Sequence, residues 1–96
     1  MIKTQDYLQS EIPYKLNKLI LQLVDKVGQP LDLVFTENTD WNLDQCAIKV
    51  NDLIDYLEVF GNLDIESIPR ISPQADFQND NIILTLISIE DFIQNI

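Results

Sequence analysis

Leu43, Cys46, Ala47, Val50, Leu53, Ile54 and Leu57 recur at three- and four-residue intervals. This spacing constrains the chain more than any other feature, because a helix gathers all of these side chains on one side. Asp44, Asn51, Asp55 and Glu58 then share the opposite face. A strand reading of "CAIKV" (46–50) accounts for five residues, whereas the helical stripe accounts for fifteen. The helix also has a start and a stop. Asn42 is a good N-cap, and Gln45 stands three residues on, at capping-box spacing. Trp41, just before the cap, suits an N-terminal staple, and Gly61 is a natural end.

An earlier helix is equally legible. Ile12, Leu16, Leu19, Ile20, Leu23 and Val27 follow the same period, with Ser10 as candidate cap and Pro13 tolerated in the first turn. Gly28 and Pro30 stop it. A short helical turn over 4–8 precedes it. "LDLVF" (31–35) reads as a short strand or an apolar loop, 36–40 as a polar loop, 63–73 as an extended linker, and 74–81 as a loop anchored by Phe77. The C-terminal "IILTLISIEDFIQNI" supports three readings. Ile82, Leu86, Ile89, Ile93 and Ile96 fit a helix, and the β-branched run 82–87 fits a buried strand. Ser88 could also cap a short helix over 89–96, with Asp91 at capping-box spacing. The last uses the most local signals and is preferred. The expected fold is one domain over 1–96, a mainly α bundle of three or four helices. The alternative is α+β, with a strand pair from 31–35 and 82–87.

Ninety-six residues bury only about 60–65% of their unfolded surface, so the core is modest. The single Cys46 forbids an internal disulfide, and the cytoplasm is the expected compartment. The N-terminus lacks the apolar run of a signal peptide, and no stretch is long enough to span a membrane. Sixteen acids against six bases give a net charge of −10. The asymmetry is sharp: residues 1–28 carry +1 and residues 29–96 carry −11. Such a field repels nucleic acid and steers basic protein surfaces.

Catalytic chemistry has little to work with. There is no His, which removes the usual general base and the commonest metal ligand. Two isolated Gly cannot build a phosphate loop, and one Cys without His makes no zinc site. Glu37, Asp40 and Asp44 cluster acidic oxygens, but the central Gly and closing Glu of an EF-hand loop are missing. Cys46 lies on the apolar stripe and reads as a buried inert thiol. A helix N-terminus favours thiolate, but Asp40 and Asp44 oppose it. The chain is therefore expected to be no enzyme and to need no cofactor or metal.

"ISIEDFIQNI" resembles the last helix of acyl and peptidyl carrier proteins, through Ser88, Ile89, Asp91, Phe92, Ile93 and Ile96. "DWNLDQCAIKVNDLIDYLEVFGNLDIESIP" is similar to that family's central region. Asp40, Leu43 and Asp44 fall on the motif that opens its second helix, and Asp64, Ile65 and Pro69 echo the segment that closes it. The resemblance covers about half the chain. It implies a small acidic helical bundle whose second helix docks on basic patches of partner enzymes. The chain departs from the family where it matters most. Gln45 stands where the family has the Ser that receives 4′-phosphopantetheine, and an amide cannot be esterified to phosphate. The segment before the last helix is also longer. The resemblance thus implies a carrier-like adaptor without a prosthetic group.

The expected function is protein binding through an acidic face. The candidate residues are Trp41, Asp44, Asn51, Asp52, Asp55, Tyr56 and Glu58, with Trp41 or Tyr56 as apolar anchor. Asp52, Asp55 and Glu58 are expected to be solvated, so their joint reversal to Lys should spare the fold. The alternative is an acidic inhibitor (an immunity protein, antitoxin or phage anti-defence protein) presenting carboxylates where a nuclease expects phosphates.

Overall fold

The computed structural model describes residues 11–28, 41–62, 64, 66, 68–72 and 80–96, the side chain of Leu43 excepted. The expectations for residues 4–8, Ser10, 31–35, Glu37, Asp40, Ile65 and Phe77 lie outside these. Among the described residues there are three helices and no strand: α1 (Ile12–Val27), α2 (Leu43–Gly61) and α3 (Asn81–Gln94). Each packs against the other two, so the domain is a small mainly α bundle.

α1 and α2 begin or end for local reasons. In α1, Glu11 is the N-cap, without a side-chain bond, and Pro13 sits in the first turn. Gly28, at φ 71°, turns the chain out through a left-handed conformation that costs glycine little. In α2 the capping box forms as read. Asn42 Oδ1 accepts from Gln45 N at 2.8 Å, and Gln45 Oε1 accepts from Asn42 N at 3.1 Å. Gly61 does not end α2 by turning; it is the last helical residue, and Asn62 adopts the left-handed turn at φ 53°. Gly61 serves a different purpose. A Cβ there would stand 2.8 Å from Cζ of Phe92, so the missing side chain lets α3 approach.

The C-terminal segment corrects the preferred reading. Residues 81–94 form one helix, neither a strand over 82–87 nor a short helix begun at Ser88. Ser88 is mid-helix, and its hydroxyl donates to the Leu84 carbonyl at 3.0 Å instead of capping. Asp91 is in the last turn of the same helix, its carbonyl accepting from Asn95 Nδ2. Ile82, Leu86, Ile89 and Ile93 all point into the core. Burial of that stripe outweighs the β-preference of Ile82, Ile83, Thr85 and Ile87, which is a weak bias by comparison.

The core is aliphatic. Ile12, Leu16, Leu19, Ile20 and Leu23 of α1 meet Val50, Leu53, Ile54 and Leu57 of α2 and the α3 stripe. Trp41, Tyr56 and Phe92 pack around its rim. Lys15 and Glu90 bridge α1 to α3 at 3.3 Å. No helix among the described residues is long and apolar enough to cross a membrane.

The 68–72 segment is strapped across α2. Ile68 and Ile71 are buried, and the Asn51 amide holds the backbone of Ile71 from both sides. Asn51 Nδ2 donates to Ile71 O, and Ile71 N donates to Asn51 Oδ1, each at 2.9 Å. Asn51→Ala should therefore destabilise. Orphaning a part-buried N–H and C=O costs about 1–3 kcal/mol, while the gain in helix propensity is only about 0.6 kcal/mol. Urea denaturation should show a net loss; a variant more stable than wild type would show that the clamp contributes nothing.

Candidate functional site

One exposed face of α2 carries acids and aliphatics together. Asp44, Ile48, Asp52, Asp55 and Val59 follow one another at intervals of four, four, three and four residues, which aligns them along one side of the helix. Asp44 and Asp55 are exposed and Asp52 is half-buried. Ile48 is 54% and Val59 69% exposed, so two aliphatic side chains stand in water among three carboxylates. Asp44 lies in the first turn, where the helix dipole favours a negative group.

The other candidate residues are placed differently. Asn51 is not a free surface group, because its amide is spent on Ile71. Trp41 is half-buried against the core, at the position of an N-terminal staple. Tyr56 is half-buried too; its ring lies 4.5 Å from that of Phe60, and its hydroxyl is buried without a hydrogen-bond partner. Neither aromatic is prominently exposed, whereas Ile48, Val59 and Phe60 of α2 are. Asp55 and Glu58 are exposed but not unpaired. Arg70 Nη2 lies 2.5 Å from Asp55 Oδ1 and 4.0 Å from Glu58 Oε2, and Nη1 donates to the Asn51 carbonyl at 3.0 Å. Reversing Asp55 and Glu58 to Lys would thus place two cations beside Arg70 in exchange for exposed ion pairs worth about 0–1 kcal/mol each.

Sequence reading missed Arg70, Ile48 and Val59. Arg70 had a signal, being the only base beyond Lys49. Ile48 and Val59 had one as well: they fall off the apolar stripe and on the acidic side.

The positions nearest to chemistry are spent on structure. Gln45 is half of the capping box. Cys46, one residue on, is fully buried, and burial pushes its thiol up to about 11 from 9.0. Only about one thiol in a thousand is then thiolate at pH 8. A thiol-disulfide exchange reagent should react with the native protein only as fast as the protein opens; rapid labelling at neutral pH would contradict this burial. The raised value has a sign for stability. The neutral thiol is favoured in the fold, so its contribution is whole below about pH 9 and is lost as pH rises toward 11. Among the described residues no group of three or more His, Cys, Asp or Glu is placed to hold a metal.

Comparison with protein-family models, with curated proteins and with solved structures finds no match.

Proposed function

We infer that this domain binds a protein partner through the acidic face of α2, as a carrier-protein-like adaptor without a prosthetic group. The observation that supports this most is the alternation of Asp44, Asp52 and Asp55 with the exposed Ile48 and Val59. Exposed carboxylates alone give little affinity, about 0–1 kcal/mol for each surface ion pair. Aliphatic side chains beside them add the apolar burial from which affinity is built. The charge steers a basic surface to the site and speeds encounter. Gln45 acts as a cap and Cys46 as core, so the binding is non-covalent in this reading.

Affinity capture from the native host compares the wild type with Asp44→Lys/Asp52→Lys. The wild type should retain an enzyme of acyl or peptide metabolism that the variant loses. A nuclease lost in the same way would favour the acidic inhibitor. Identical captured sets would remove α2 from the interface.

A further inference from the structure

The outer faces of the three helices differ in charge. On α1 the exposed Tyr14 and Leu21 flank the exposed Lys18, and on α2 the exposed Ile48 and Val59 stand among carboxylates. On α3 the exposed Leu84, Ile87 and Ser88 lie within 81–89, the longest run of the chain without a charged residue. Ile87 and Ser88 follow Leu84 by three and four residues, so the three share one patch. Leu84 is 60% and Ile87 48% exposed. The Ser88 hydroxyl already donates to the Leu84 carbonyl, so covering it leaves no donor unmet. Its small side chain also lets another helix come close.

We propose that this face of α3 docks a second copy of the chain, in an antiparallel, two-fold symmetric pairing of α3 with α3 about Ile87 and Ser88. A two-fold contact sets a patch against itself, so any charge on the patch meets its like. On α1 the lysine, and on α2 the aspartates, would face their own copies. In a chain of net charge −10, the uncharged patch of α3 escapes this. Asp91 is the exposed charge nearest to the patch on α3. The antiparallel pairing sets it level with Leu84 of the second copy. The two Asp91 carboxylates then stand about 10 Å apart along the axis, close to the screening length in 0.1 M salt. One helix face covers less than the roughly 800 Å² per partner of a standard interface, so the dimer is weak, with a dissociation constant on the order of 0.1–1 mM. Both α2 faces stay uncovered, and the dimer offers them together. The pairing does not rest on the docking reading, and its failure leaves that reading standing.

Sedimentation equilibrium on the whole chain, up to about 1 mM protein, tests it. The wild-type mass should rise with concentration from 11.1 kDa toward twice that value. The dimer should tighten about twofold or more between about 0.05 and 0.5 M salt, because salt screens the repulsion between two acidic copies. Two variants carry equal changes in net charge. Leu84→Glu/Ile87→Glu should weaken the dimer about tenfold or more, since it removes the apolar contact and sets like charges together. Tyr14→Glu/Leu21→Glu, on the outer face of α1, should weaken it by no more than about twofold, through net charge alone. Thermal melts check that each protein is folded. If Leu84→Glu/Ile87→Glu is not, Leu84→Gln/Ile87→Gln, with the wild-type net charge, decides. A wild type that stays monomeric throughout overturns the proposal. So does an equal loss in both variants, an association that weakens with salt, or growth beyond the dimer.

Discussion

Leu53→Ala is expected to remove about 3 kcal/mol of stability, within the range of about 2–5 kcal/mol for a buried Leu truncated to Ala. Leu53 is fully buried midway along α2, among side chains from a core shared by all three helices. Two terms add: the lost transfer energy of the removed carbons and the cavity that a close-packed bundle cannot fully close. The loss is large against the whole. A chain of 96 residues is stable by only about 5–14 kcal/mol. The melting temperature should fall by about 12–24 °C at this size. Val59→Ala is the control on the same helix. Val59 is 69% exposed, and its truncation should stay within about 0.5 kcal/mol. Urea denaturation should show a lower midpoint with an unchanged slope for Leu53→Ala. Equal effects at the two positions would mean that α2 does not present the faces described.

What could be read in the sequence was what is local. The α1 and α2 stripes, the Gly28 stop and the Asn42–Gln45 box each depend on residues within a turn or two. The α3 segment was harder, because its β-branched residues satisfy a strand preference and a helical period at once. Only packing against α1 and α2 separates the two, and packing is not local. Asn51 illustrates the limit in the site. Its place on the wheel beside Asp44, Asp55 and Glu58 suggested a partner-binding group. Its real partner is Ile71, twenty residues on and across a linker. Arg70 pairs over a similar separation, with Asp55 fifteen residues before it. The acidic face was visible as a charge pattern, but the cation already resting on its edge was not.

Asp44→Lys/Asp52→Lys should weaken partner binding about 100-fold, or about 3 kcal/mol, because reversal loses attraction and adds like-charge repulsion at two points. These positions are the right ones to reverse, since Arg70 contacts neither in the structure, whereas Asp55 and Glu58 hold it. Some stability should go as well. Asp44 sits in the first turn of α2, and losing its favourable interaction with the helix dipole costs about 0.3–1 kcal/mol. That loss is too small to unfold the bundle, so weakened binding would report on the interface.

The most direct test of non-covalent docking by the α2 face is the affinity of the captured partner for wild type and for this double variant, measured across a salt series. Wild-type affinity should fall as salt rises from about 0.05 to 0.5 M, since the screening length shortens through that range. The variant should start about 100-fold weaker and respond little to salt. Equal affinities with parallel salt dependence, or a partner joined to the chain by a covalent bond, would contradict the account.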